Sequence, residues 1–311
     1  MMLSPALIYH PCYSQLELPH RHRYPIGKYQ YLYQSLRELG VPAGQFHQPL
    51  AIQANQLHNT HSPAYVQQLC DGQLDAKAMR RIGFPWSYQL IERSLTSLGG
   101  TLLAAELAMQ HGSALHLSGG YHHAFYAEGS GFCLFNDLVF AARSLQQQGV
   151  KRILIFDLDV HQGDGTASLL VEDPSIITCS VHCEKNFPYR KQQSDWDLSL
   201  PVTIQDDEYL AEVEQALQCL LNWFQPELVL YDAGVDCHQQ DELGHLQLST
   251  DTLLQRDLLV LSSCQQQQIP VAAVIGGGYQ RDLAALTQLH LQLFKAAFLL
   301  QGSALASKIK T

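Results

Sequence analysis

The sequence predicts an α/β fold in which a mainly parallel central sheet lies between two layers of helices, in one domain spanning residues 1–311. Two observations predict this architecture. Short apolar runs alternate with longer helical patterns, and such alternation favours parallel strands that are joined by helices. In addition, no linker rich in Pro, Gly or Ser and no shift in composition divides the chain, although its length would allow two domains.

Five short runs are the strand candidates, because each is largely apolar and some contain β-branched residues. An apolar run of this length fits a strand that helices cover on both sides. In chain order they are SALHL (113–117), RILIF (152–156), SIITCSV (175–181), ELVLY (227–231) and PVAAVI (270–275).

Three segments between and after these runs show helix signals. Residues 136–149 open with Asn136, a preferred N-cap residue, and close on Gly149. Residues 206–224 begin with acidic side chains, which favour the start of a helix. The last helix has one apolar face, because its apolar residues recur at steps of three, four or seven: Leu283, Leu286, Leu293, Ala297 and Leu300.

Composition and charge restrict the classes of function. The net charge is −10, and the sparse, scattered Lys and Arg residues form no basic face, so we expect no binding to nucleic acid. An acidic protein suits a cationic or neutral substrate better. The first ten residues lack the features of a signal peptide, and no window holds 18 uninterrupted apolar residues, so we expect no membrane span. The eight cysteines should be reduced thiols in a cytoplasmic protein.

Polar or glycine-rich segments follow four of the strand candidates. In an open parallel sheet, function collects at the carboxyl ends of the strands, so these segments should share one site. They are SGGYHHAF after 113–117, DLDVHQGDG after 152–156, DAGVD after 227–231 and GGGYQ after 270–275.

A catalytic metal site is the first function that these segments indicate. Asp159 and His161 lie two positions apart, and on an extended segment such residues point the same way. Asp236 supplies a third ligand. Two carboxylates and one imidazole leave positions open for water and substrate, as in catalytic zinc sites. The alternative is that these residues only cap strand ends and form turns.

Proton transfer is the second function. His122 and His123 are adjacent histidines after two glycines, and histidine suits proton transfer near neutral pH. Each needs a carboxylate to fix its tautomer, and Asp157 and Asp164 are the unassigned acids. Tyr279 follows three glycines, where its hydroxyl can donate to a developing oxyanion. The alternative for Tyr279 is a tyrosine at the rim of a tight turn.

At these residues the chain resembles the zinc-dependent histone deacetylase superfamily, which is related in fold to arginase. The similar segments appear in that family's order: GGYHHA, GFCLFND, DLDVHQGDG, DAGVD with DELG, and GGGYQ. Earlier segments are similar to the class IV and bacterial branch: HRHRYPIGKY, HSPAYVQ and RRIGFPWS. The resemblance covers nearly the whole chain and implies a single deacetylase-like domain.

The resemblance also implies a role for each matching residue. The zinc ligands would be Asp159, His161 and Asp236. The catalytic residues would be His122 and His123 as base and acid, Asp157 and Asp164 behind them, and Tyr279 for the transition state. The substrate tunnel would be formed by Phe132, Phe187, Leu243, Gly131 and Gly277. A structural K⁺ would be bound by backbone oxygens at Asp157, Asp159 and His161, the Asp157 side chain, Ser180 and Val181.

The implied activity is hydrolysis of an amide: removal of an acetyl or longer acyl group from the lysine side chain of proteins or peptides. A small acylated amine is a second possible substrate class. Relatives that deacetylate polyamines carry Glu seven residues after the last Asp ligand, where this chain has Leu243 and places Glu242 one position earlier. That difference weakens, without removing, the polyamine interpretation. An arginase-like hydrolase with two manganese ions and an acyl-lysine binding module without turnover also stay open as interpretations.

Overall fold

One sheet of eight strands forms the centre of the computed structural model, which describes residues 5–310. The strands are β1 (Ala6–Ile8), β2 (Phe46–His47), β3 (Ser113–His116), β4 (Ile153–Asp157), β5 (Ile176–Cys183), β6 (Trp196–Leu200), β7 (Leu228–Asp232) and β8 (Val271–Val274). Within the described residues their order is β2-β1-β3-β8-β7-β4-β5-β6, and every neighbouring pair is parallel. The predicted parallel sheet is confirmed.

Helices form the two outer layers. They are α1 (Lys28–Leu39), α2 (Pro63–Cys70), α3 (Ala76–Ile82), α4 (Tyr88–His111), α5 (Asp137–Gln147), α6 (Asp164–Leu170), α7 (Asp206–Phe224), α8 (Thr250–Gln266) and α9 (Leu283–Leu300). Side chains alternate along β4: Ile153 and Ile155 pack with residues of α4, α5 and α6, whereas Leu154 and Phe156 share a core with α1, α7, α8 and α9. This alternation gives the predicted three-layer arrangement.

All five predicted strands are present, with ends that differ from the prediction by at most two residues. The predicted helix starts are also confirmed: the Asn136 side chain accepts a hydrogen bond from the Val139 amide (3.0 Å), and α7 coincides with residues 206–224. The sequence analysis did not predict the strands β1, β2 and β6. β1 and β2 are only three and two residues long, and β6 is a partly exposed edge strand.

Two further expectations concern membranes and thiols. By length and composition alone, α9 could cross a membrane, with a mean hydropathy of 1.4. However, 61% of this helix is buried inside the protein, as is typical of a core helix. All eight cysteines are unpaired, as the sequence predicts, and six of them are buried.

The strand order at the centre of the sheet positions the functional segments. The four strands β3, β8, β7 and β4 are neighbours, and their carboxyl ends lead into the four polar segments identified in the sequence. β3 and β4 lie on either side of the pair β8 and β7, although the chain visits β3 and β4 first. Segments that are far apart in sequence therefore meet at one edge.

His61 ties together two loops near this edge. Its Nδ1 donates to the Phe125 carbonyl (2.8 Å), and its Nε2 accepts from the Asn136 amide (2.9 Å), so the buried ring must be neutral. Burial lowers the pKa of His61 to about 4. The unfolded chain, with an ordinary pKa near 6.5, binds the proton first, so stability is lost as pH falls from about 6.5 towards 4.

We expect this loss to reach about 1.4 kcal/mol per pH unit from His61 alone. The free energy of unfolding should be measured in urea at pH 7.5 and pH 5. The difference between the two values should shrink in His61→Gln but not in His58→Gln, which alters an exposed histidine on the same segment. An unchanged difference in His61→Gln would show that this residue does not link proton binding to folding.

Candidate active site

Three side chains converge as the sequence predicts for a metal site. The Nδ1 atom of His161 lies 3.0 Å from Oδ1 of Asp159 and 3.1 Å from Oδ2 of Asp236. All three side chains are buried, and one ligand atom from each lies within 4.8 Å of the others. Asp159 and His161 follow β4, and Asp236 follows β7, which is the neighbouring strand.

Backbone groups hold the two carboxylates in place. The Gly277 amide donates to Oδ2 of Asp159 (2.9 Å), and the Val160 amide donates to Oδ1 of Asp236 (2.9 Å). A Cβ atom at position 277 would overlap both carboxylates, so this close approach requires glycine. Gly277, predicted as part of the tunnel, thus lies directly against the two carboxylates.

The electrostatics of these three side chains suit a cation. Burial alone would lower the pKa of His161, but the Asp159 and Asp236 carboxylates raise it to about 10. Burial raises the pKa of Asp236 to about 7, to which the nearby Asp159 charge also contributes. A positive charge between the side chains of Asp159, His161 and Asp236 is therefore strongly stabilised. Two carboxylates and one imidazole are a donor set that zinc accepts, so the residues fit the predicted metal.

The two histidines form two parallel dyads with the predicted acids. Nδ1 of His122 lies 2.7 Å from Asp157, and Nδ1 of His123 lies 2.6 Å from Asp164. Each carboxylate fixes the proton on Nδ1, which leaves both Nε2 atoms, 3.1 Å apart, directed into the site. Nε2 of His122 is 3.9 Å from the Asp159 carboxylate. The dyads therefore lie next to the three predicted metal ligands, Asp159, His161 and Asp236, which we call the metal triad.

The two imidazoles differ in their affinity for a proton. Burial alone would lower the pKa of His122, but the Asp157 and Asp159 carboxylates raise it well above its usual range. Burial lowers the pKa of His123 to about 4, and the charge on His122 contributes to this. When the pKa values of two neighbouring groups are shifted in opposite directions, one group can act as an acid and the other as a base. A proton on His123 would be the more readily released of the two.

Tyr279 lies at the same site. The centre of its ring is 6.2 Å from that of His161, and its backbone amide donates to Oδ2 of Asp241 (2.7 Å). Burial raises the pKa of the Tyr279 hydroxyl well above its usual value, and the Asp159 charge adds to this. The hydroxyl therefore keeps its proton at neutral pH and can donate a hydrogen bond.

A cavity of about 510 Å³ opens onto His161, one of the three predicted metal ligands. Phe187 and Phe132 flank it: the Phe187 ring centre lies 4.9 Å from that of His123, and the Phe132 ring centre lies 5.9 Å from that of Tyr279. The structure thus brings four of the five predicted tunnel residues to the cavity. Its lining is His123, Gly131, Phe132, His161, Phe187, Leu243 and Tyr279, with Arg81, Ser130, Lys185, Asn186, Tyr189 and His245.

Asp232, to which the sequence pattern assigns no role, is a further buried acid at the site. Among the described residues, neither of its carboxylate oxygens has a hydrogen-bond partner. One ligand atom each from Asp232, His122 and Asp157 lie within 4.8 Å of one another. Burial raises the pKa of Asp232 well above its usual range, and the Asp157 charge adds to this. The protonated form of Asp232 is thereby favoured. Its position inside the DAGVD segment was the available signal.

Lys28 is a second unanticipated residue. It is 2% exposed, and its Nζ donates to the Gly276 carbonyl (2.9 Å). Burial lowers the pKa of Lys28 to about 8, although the nearby Asp236 and Asp159 charges oppose this effect.

The predicted potassium ligands also lie near the site. Ser180 and Val181 are buried in β5, and Ser180 is the register partner of Asp157 across β4 and β5.

Comparisons with known proteins agree with this geometry. A sequence model described as "Histone deacetylase domain" matches residues 22–295. A protein of Picosynechococcus sp. described as uncharacterized is 48% identical over 293 residues, 94% of this chain and 97% of that one. The acetoin utilization protein AcuC of Bacillus subtilis is 28% identical over 269 residues, 79% and 69% of the two chains.

The fold agrees as well. The crystal structure of an HDAC homologue from Aquifex aeolicus matches with a TM-score of 0.82 at 22% identity, over 99% of this chain and 88% of that one. The family match covers the segments that carry the metal triad, both histidine dyads and Tyr279, and it supports a deacetylase activity. The chain belongs to the histone deacetylase family, in its bacterial-like branch.

Proposed function

We propose that this protein is a zinc-dependent lysine deacylase, which removes an acetyl or longer acyl group from lysine side chains of proteins or peptides. One observation carries the proposal: His161, His123 and Tyr279 line one cavity, and the other members of the metal triad and of the two His–Asp dyads lie next to them. The deciding experiment is turnover of a panel of acyl-lysine peptides by purified protein. An acyl-lysine binding module would bind such peptides and release no product.

The proposed chemistry assigns each side chain one task. Zinc, held by Asp159, His161 and Asp236, would supply a Lewis acid for the acyl carbonyl and its attacking water. Nε2 of His122 can take the proton of that water while Asp157 orients the ring, because bound zinc would offset the carboxylate charges that raise the pKa of His122.

The leaving group and the oxyanion need the other two side chains. The proton that His122 takes from the water passes to Nε2 of His123, which is 3.1 Å away, and His123 delivers it to the departing lysine amine, because its low pKa makes it the better donor. Tyr279 donates its hydroxyl hydrogen to the developing oxyanion.

The cavity wall favours acyl-lysine over a polyamine. Glu242, the nearest acid to the position where polyamine-deacetylating relatives carry Glu, is bonded to Arg281 at the surface (3.2 Å). The cavity is lined at this point by Leu243. An apolar wall stabilises the four methylenes of a lysine stem by roughly 3 kcal/mol, at about 0.8 kcal/mol per CH₂. N-acetylated polyamines belong in the same assay as the comparison substrates.

The remaining elements of the proposal are the second cation and the setting. Structural K⁺ would bind at Asp157, Ser180 and Val181, beside β4. The protein would act in the cytoplasm on a soluble acylated protein or peptide. Metal analysis of protein purified without added zinc, together with activity in K⁺ and in Na⁺ buffers, tests both cations.

Phe132→Ala should change the ratio of kcat/KM values for short and long acyl chains by about tenfold or more. Contacts in an apolar pocket discriminate by roughly 1–3 kcal/mol, and this ring forms one side of the cavity. Metal content should stay at the wild-type value. Trp223→Ala, which removes an exposed ring on α7, is the matched control. An unchanged acyl preference in Phe132→Ala would remove Phe132 from the tunnel.

A further inference from the structure

The backbone that carries Tyr279 depends on external contacts for its position. Gly276 and Gly278 have φ values of 57° and 146°, in the region that favours glycine, so the segment is intrinsically free. Lys28 binds the Gly276 carbonyl, and the Gly277 amide binds Asp159. The tyrosine itself is held through its own amide, which donates to the side chain of Asp241.

The Asp241 carboxylate has a second task. While Oδ2 accepts from the Tyr279 amide at 2.7 Å, Oδ1 accepts from the amides of Leu243 (2.8 Å) and Gly244 (2.9 Å). Leu243 lines the cavity. A single carboxylate therefore fixes both the tyrosine and one wall of the cavity. Hydrogen bonds to a charged acceptor are stronger and shorter than neutral ones, which suits such a role.

The cavity wall at Leu243 is also held by a second side chain, which makes no hydrogen bond to the Tyr279 amide. The buried side chain of Asn186 donates to the Leu243 carbonyl (2.8 Å) and accepts from the His245 amide (2.9 Å). If the link between Asp241 and Tyr279 is cut, the wall is still held by Asn186. The two tasks of Asp241 are therefore separable by mutation.

We propose that Asp241 is a positioning residue, which sets the Tyr279 hydroxyl at the height of the acyl carbonyl that Leu243 helps to place. This proposal rests on the proposed deacylase function. Asp241 touches no reacting atom and acts through Tyr279. Its sequence position, five residues after the ligand Asp236, gives no hint of this role, because the contact crosses 38 residues of chain.

Asp241→Asn is the selective variant. An asparagine side chain has the same shape but one oxygen, and that oxygen satisfies two donors if it faces Leu243 and Gly244. Its NH₂ group then faces the Tyr279 amide, so that two donors oppose each other. Glu242→Gln is the matched control, since it removes a neighbouring charge whose partner among the described residues is the exposed Arg281.

We expect kcat of Asp241→Asn to fall on the order of 10²-fold, because a displacement of about 1 Å at a catalytic group has this effect. KM should stay within about threefold, which is under 1 kcal/mol. Metal content should not change, and the Tyr279 amide should exchange its hydrogen faster. In a background with Phe at position 279, Asp241→Asn should cost little more, because the hydroxyl is already absent.

Two results would overturn the proposal: a kcat of Asp241→Asn within about threefold of wild type, or a full additional loss in the Tyr279→Phe background. The proposed function fails separately, if wild-type protein turns over no acyl-lysine peptide. Should Asp241→Asn not accumulate as folded protein, Asp241→Ser replaces it in the same cycle. A serine hydroxyl can accept from the loop amides, and it places no group against Tyr279.

Discussion

Asp236→Ala should lose its metal and all measurable turnover while it remains folded. The substitution removes one of the three proposed ligands, so metal affinity should fall by more than the roughly 10–100-fold that the loss of an outer partner costs. The fold should survive, because burial already raises the pKa of Asp236 and its charged form is costly inside the protein. Metal content of purified protein and the thermal melting temperature are the two measurements.

The control for this variant is Asp207→Ala, which removes an exposed acid from the first turn of α7. It should bind metal as wild type does. Stoichiometric metal in folded Asp236→Ala would disprove the ligand assignment. A second equivalent of metal in wild-type protein would favour the arginase-like interpretation with two ions over a single catalytic zinc.

Tyr279→Phe should keep the fold, the metal and substrate binding but lose about 10²–10³ in kcat. This range is the usual cost of one oxyanion donor, roughly 2.7–4 kcal/mol. Packing should be unaffected, since only a hydroxyl is deleted and the ring still contacts Phe132. The measurement is kcat on an acyl-lysine peptide that the wild-type protein accepts, with metal content determined in parallel.

Tyr126→Phe gives the comparison for this second variant, because it deletes a hydroxyl from an exposed tyrosine outside the cavity lining. A Tyr279→Phe protein within about threefold of wild type would exclude the oxyanion role, since threefold is under 1 kcal/mol. Tyr279 would then be a residue at the rim of a tight turn, which the sequence pattern also allows.

The sequence predicts the parts of the fold and site whose signal is local. The apolar run Ile153 to Phe156 by itself indicates a buried strand. The spacing of Asp159 and His161 indicates that both side chains bind the same metal ion. The pairing of His122 and His123 with an acid each could also be predicted, because two acids in the motif had no other assigned role. Their proximity is confirmed, whereas their catalytic roles stay predictions.

Contacts between segments that are far apart in the chain could not be predicted from the sequence. Lys28 reaches Gly276 across 248 residues, and nothing near either position signals the other. Asp232 resembles one more strand-end acid in the sequence, and only the folded structure shows that both of its oxygens lack a partner among the described residues. Short strands such as β2, with two residues, give too few positions for a pattern to be recognised.

The bond from Lys28 to Gly276 also has a consequence for biosynthesis. A ribosome that has made residues 1–240 has already produced the three proposed metal ligands and both histidine dyads, but not Asp241, Tyr279 or α9. Helix α1, which carries Lys28, packs against α9 in the finished protein. In the nascent chain, α1 therefore lacks this packing partner until α9 emerges. Catalytic competence should appear only after α9 has been made, and products truncated before α9 should be inactive even when they already hold metal.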